Sequence, residues 1–302
     1  MHNLKANFDK FLLVSKSFFE NQLCVDNNFR SYSNKPKMSD LEIIALSCTA
    51  ESLSIDSENL LFEKLKTEFK EDFPNLIDRS NYNRRRKKLF FQLAELSRNI
   101  CTKLSGKNAE FIVDSLPIPI CSNVRINRSN ICKDDPGLMP SRAYHASHKL
   151  YYYGFKLQLV ISKEGFPYAT GITTASMHDS KFLPVLKEEQ MSNCEVIADK
   201  GYISTGQQMS LFEEAKIKVI TPPRINMNIV SEWNNAYRYM RKRIETLFSQ
   251  MCDQFLIKRN YAKTTTGVFT RILAKLSTVS VLQAINKEAN RPTNHLKYAL
   301  KF

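Results

Sequence analysis

The chain has 302 residues, 43% of them hydrophobic, seven cysteines, and a formal net charge of +14. That apolar content supports a packed core, and the absence of a run of about 18 or more apolar residues argues against a membrane span. The start, MHNLKANFDKFLLVSKSFF, lacks the basic-then-apolar layout and small-residue cleavage site of a secretory leader. The cysteines (24, 48, 101, 121, 132, 194 and 252) are odd in number and contain no C-x-x-C pair. They read as free thiols in a reducing cytoplasm, neither a disulfide frame nor a zinc ribbon. Charge is unevenly placed: residues 1–110 carry 18 basic and 15 acidic side chains, whereas residues 216–302 carry 16 basic against four acidic. Such concentration points to a polyanionic partner, nucleic acid first among the candidates.

The first third reads as helices. In SDLEIIALSCTAESL, Ser39 followed by Glu42 forms a capping box ahead of Ile43, Ala45, Leu46 and Leu53. NLLFEKLKTEF keeps the helical period through Leu61, Leu65 and Phe69. A further helix is expected from about Asn81 to Leu104, opening with Arg84, Arg85, Arg86, Lys87 and Lys88. Five consecutive charges wrap more than one turn, so at least two face away from the core. The plain reading is a solvated helix end; the functional one is a set of phosphate contacts from a helical DNA-binding domain.

Beyond SGKNAE the pattern becomes extended. EFIVDSLPIPI (110–120) is a strand closed by two prolines. A polar stretch of roughly 30 residues follows without periodicity, the length at which a loop is functional or mobile. Its Arg125, Arg128, Lys133, Arg142 and Lys149 suit either DNA contact or disorder. YYYGFKLQLVIS and FPYATGITTA read as two strands around a KEG turn. HDSKFLPVLKEEQ is a short helix, with Asp179 as its N-cap, and CEVIADKGY a strand. TGQQMSLFEEA is a helix, IKVITPP a strand, and residues 229–255 a long amphipathic helix. GVFTRILAKLSTVSVLQAIN is a final amphipathic helix whose apolar face packs on the sheet or on a second subunit. An antiparallel meander followed by βαβ units predicts a mixed five-stranded sheet flanked by helices, preceded by an all-α N-terminal domain. The expected boundaries are 1–108 for the helical domain, 109–290 for the α/β domain and 291–302 for a tail.

Three carboxylates stand out. Asp114 lies inside the first strand, where unpaired burial would cost several kcal/mol. Asp199 ends the fourth strand ahead of Lys200 and Gly201. If those strands are neighbours, the two aspartates emerge side by side, a natural site for a divalent cation that takes hard oxygen ligands. Glu245 borders the stripe Trp233, Tyr237, Met240, Ile244, Leu247 and Met251, sharing a strip of helix with Arg241 and Arg238. Alone, Arg241 and Glu245 would be a surface pair of little energetic weight. His145 and His148 stand three apart, without the further Cys or His that zinc would need.

The ordered set IVDS, VIADKGY and YRYMRKRIETLF resembles the catalytic triad of bacterial insertion-sequence transposases of the DDE type, whose catalytic domain is RNase-H-like. RSNYNRRRKKL and the HDS after the third strand look most like the insertion-sequence nine-eighty-two family. The resemblance implies that Asp114, Asp199 and Glu245 are catalytic and hold two Mg²⁺ (or Mn²⁺) ions. It further implies cleavage at element ends, strand transfer into target DNA, and a homodimer that pairs two terminal inverted repeats. The protein would be cytoplasmic and nucleoid-associated. Lys200 and Arg241, with Arg238 beside them, would contact DNA. The broader group's Tyr-x2-Arg-x3-Glu-x6-Lys signature is matched by Arg241 and Glu245. Arg238 stands at its Tyr position, with Tyr237 one place early, and Cys252 stands at its Lys position. Two rival readings share parts of this pattern: a same-fold nuclease that cuts without joining, and a DNA-binding regulator or decayed copy without catalysis.

Overall fold

The computed structural model describes residues 4–106, 109–145, 149–224 and 233–300. They form two compact units, one of residues 1–100 with 251–302 and the other of residues 101–250. This division differs from the expected one: residues 251–290, read from sequence as part of the α/β domain, belong with the helices.

The helical unit contains α1 (Leu4–Phe19), α2 (Asp40–Ser52), α3 (Glu58–Thr67), α4 (Arg79–Lys88), most of α5 (Phe90–Leu104) and α9 (Thr265–Glu288). The Ser39–Glu42 capping box is present in full. The helix expected over 81–104 is two helices. Leu89 leaves helical geometry between them, at φ −96° and ψ 16°. α9 is buried at nearly every position from Val268 to Asn286, packed among α1, α2 and α4, so it is a core helix of the helical unit. The polar letters that suggested an outer face are satisfied internally. Ser277, Thr278 and Ser280 each donate to the carbonyl one turn back, at 2.8, 2.7 and 3.2 Å. α9 has the length and hydropathy of a membrane-crossing helix, yet lies almost wholly inside this unit.

The second unit is built on a mixed sheet of β1 (Glu110–Cys121), β2 (Ser141–His145), β3 (Leu150–Ser162), β4 (Pro167–Thr174), β5 (Cys194–Ile197) and β6 (Ile217–Ile220). β3 pairs antiparallel with β1 along one edge and with β4 and then β2 along the other, so the six strands stand five across. β5 and β6 continue the sheet in parallel beyond β1. This is an RNase-H-like arrangement, with its chain order as expected. β2 is an addition, drawn from the polar stretch that showed no period. β1 also runs through Pro117 and Pro119, because β5 leaves its edge at Ile112 and no partner there needs their missing N–H.

Side chains alternate between the two faces of β1 and β5. Val113, Val196 and Ala198 enter a core with Val160, Phe182 and Leu186, below α6 (Val185–Glu188) and α7 (Thr205–Ala215). Asp114 and Asp199 therefore belong to the opposite face, toward α8 (Asn235–Asp253). The sequence put this helix at 229–255; positions 229–232 lie outside the described residues.

Candidate active site

The parallel register of β1 and β5 matches Ile112 with Ile197. Asp114 and Asp199 each follow two residues later, so both carboxylates leave neighbouring strands at the same level and face. β5 ends there because Asp199 begins a tight turn, in which Tyr202 N–H bonds back to its carbonyl at 3.0 Å. From α8, Tyr237 Oη meets Glu195 Oε2 at 3.4 Å, and one turn on Arg241 reaches the aspartates.

Arg241 is the hub. Its Nη2 lies 3.2 Å from Asp114 Oδ2 and 3.4 Å from Glu245 Oε1, and its Nη1 lies 3.4 Å from Asp199 Oδ1. All three sequence-chosen carboxylates thus touch one guanidinium, contributed by a residue expected to contact DNA. Asp114 and Arg241 side chains are only 18% exposed, whereas Asp199 and Glu245 are 48% and 56% exposed. Burial pushes the Asp114 carboxyl up to about 6, opposed by Arg241 and by the Ser115 N–H at 2.8 Å, with Asp199 adding to the rise. One positive charge against three negative leaves the cluster short of cations.

Among the described residues no three Asp, Glu, His or Cys side chains stand close enough together to hold one ion; Arg241 occupies the space between these three. The donor set still fits a hard divalent cation: it is all carboxylate, under-neutralised, and its two outer members are exposed enough to change rotamer.

A second polar group lies on the other face. Lys156 and Gln158, alternate residues of β3, both donate to Asp179 Oδ1 at 2.7 and 2.9 Å. Gln158 accepts in turn from the buried Tyr202 hydroxyl. Burial holds the Tyr202 phenol well above its ordinary range, and the carboxylates of Asp179, Asp114 and Asp199 add to this. A Cβ on Gly201 would stand 3.1 Å from Asp179 Oδ2, so glycine lets the turn after Asp199 pass close to that carboxylate. Sequence reasoning assigned Asp179 to capping. His178 is the cap instead, its Nδ1 accepting from Ser180 N–H at 3.4 Å, while Asp179 turns into the network. The available signal was Lys156 and Gln158 themselves, two polar side chains on one face of an otherwise apolar strand.

The other chosen residues are spread. Lys200 and Arg238 are exposed. On α4, Arg86 points inward, 5% exposed, and pairs with Glu51 at 3.1 Å and Glu58 at 3.2 Å. Arg85 pairs with Asp40 at 2.7 Å. Those two charges hold the helical unit together, leaving Arg84, Lys87 and Lys88 toward solvent or a cavity. His148 lies outside the described residues; His145 ends β2. The described cysteines are free.

Fold and site together define an RNase-H-like α/β protein with an acidic cluster on one face of its adjoining strands β1 and β5. The family model of the transposase DDE domain matches residues 106–280, more than half of the chain, and the chain belongs to that family. No curated protein and no solved structure matches it.

Proposed function

We propose that this member of the family is a metal-dependent DNA transposase that cleaves at the ends of an insertion sequence and joins the freed 3′ ends to target DNA. The observation that carries the reading is the convergence of Asp114, Asp199 and Glu245 on Arg241, from two neighbouring strands and one helix. These carboxylates would hold two Mg²⁺ or Mn²⁺ ions, which supply activation of the attacking hydroxyl and neutralisation of the leaving oxygen. Asp114, the most buried of the three, fixes the inner side of the site. Glu245, on α8, is free to approach from outside. Arg241 partly neutralises the acids in the unloaded protein and turns to phosphate once they are occupied. Exposed Lys200 and Arg238 bind the DNA backbone beside them. The partners are double-stranded terminal repeats and target DNA, held by a homodimer; RSNYNRRRKKL and the HDS resemble the insertion-sequence nine-eighty-two family.

The test is incubation of the purified chain with DNA bearing the ends of its element and Mg²⁺. Joined products that disappear in Asp114→Asn support the reading. Cuts without joining would favour a nuclease. Binding without either, unchanged by that substitution, would make it a regulator.

A further inference from the structure

We propose that the helical unit carries its own phosphate-binding cavity, which takes the backbone of double-stranded DNA. The inference rests on the reading of the chain as acting on DNA, and adds to it a site that the acidic cluster does not supply.

The cavity measures about 670 Å³ and is formed by the starts of α3 and α9 together with one face of α4. Arg79, Asn83, Arg86 and Lys87 line it from α4, at the spacing of a single helix face. Thr264 caps α9, accepting from Gly267 N–H at 3.2 Å, and Ser57 caps α3. Two helix N-termini thus border the same space, where the helix dipole favours an anion.

Arg271 gives the site its direction. It sits early in α9, lines the cavity and is 8% exposed. Its Nη2 donates to the Asp56 carbonyl, and its Nε has no hydrogen-bond partner among the described residues. No carboxylate pairs with it among the described residues. Burial and the neighbouring Arg86 hold it below the usual arginine range, with Glu51, Glu58 and Asp56 opposing. The nearby acids are already engaged. Glu58 takes Arg86 at 3.2 Å and Asn83 at 2.8 Å. Asp56 also lines the cavity, with one unbonded oxygen, and has Arg259 at 3.6 Å. Five cationic side chains face two acidic ones here, and Arg79, Lys87 and Lys263 lack carboxylate partners among the described residues. Arg84 and Lys88, on another side of α4, are exposed as well. The lining's one aromatic is Tyr261, itself exposed, so there is no enclosed slot for a base. A cationic lining with an exposed rim and without a base slot suits a DNA backbone better than a nucleotide.

The test is fluorescence anisotropy of the full chain on a short duplex across a salt series. Arg79→Ala with Lys263→Ala, both on the exposed rim, is expected to weaken binding by about tenfold or more. It should also lower the log–log salt slope by about two. Arg271→Met should weaken binding with its circular dichroism unchanged; if it fails to fold, the rim pair decides. The exposed pair Lys66→Ala with Lys70→Ala, away from the cavity, should leave the slope unchanged. Equal losses in both pairs would reduce the effect to general charge and overturn the proposal. Wild-type binding with unaltered slope in the rim pair would overturn it while leaving the transposase reading intact; no duplex binding at all would overturn both. Inorganic phosphate that raises the unfolding temperature while the DNA slope stays unaltered in the rim pair would assign the cavity to a free anion and overturn the DNA occupant.

Discussion

Glu51 in the helical unit and Asp114 in the sheet unit are both carboxylates removed from water, and they are treated in opposite ways. Glu51, 2% exposed, is met by Arg86 at 3.1 Å and by the buried Lys275. With Glu58 included, two acids face two bases and the set is closed. Among the described residues, Asp114, Asp199 and Glu245 share one cation, Arg241, which leaves that set with two negative charges. A closed network holds a fold together, because removing either partner strands a buried charge. An unbalanced one of all-oxygen donors invites a cation from outside. The neighbourhood of the acids, more than their burial, separates structure from chemistry here.

That contrast can be broken most forcefully at Asp114. Asp114→Asn should lower joining of element ends by roughly a thousandfold or more, read from strand-transfer products, with no loss of stability in urea unfolding of the metal-free chain. Glu51→Gln should do the reverse. Stranding the buried Lys275 costs about 3 kcal/mol, measured by urea unfolding, while turnover per folded molecule is retained. Asp179→Asn loosens the Lys156–Gln158–Tyr202 network beneath the Asp199 turn. It is expected to slow joining by about tenfold, the usual effect of losing an outer support to a ligand, with the fold intact by circular dichroism. The smallest effect belongs to exposed Lys200. Lys200→Ala should reduce the salt slope of DNA binding by about one, visible in the same anisotropy series.

Much of the site could be read from the sequence because its signals are local. An apolar run ending on Asp199 before Lys-Gly-Tyr marks a strand end, and Asp114 inside FIVDSL is anomalous wherever that strand lies. The role of Arg241 was harder to see, since a guanidinium bound for phosphate and one bridging acids have the same helical spacing. The inward turn of Arg86 was hidden for a similar reason. In a run of five charges every face of the helix is basic, and which one turns inward is decided by Glu51 and Glu58, about 30 residues away. β2 left no pattern because it pairs with the end of β3 where Leu150 and Tyr151 are exposed, so neither face imposes alternation. α9 looked amphipathic because Ser277, Thr278 and Ser280 resemble surface letters, though their hydroxyls bond to the helix itself.

The most direct measurement is Mn²⁺ binding by electron paramagnetic resonance, comparing the unsubstituted chain with Asp114→Asn, Asp199→Asn and Glu245→Gln. The account predicts a saturable site whose affinity drops in every one of the three variants while each remains folded. Mn²⁺ binding of equal strength and number in all four proteins would contradict it.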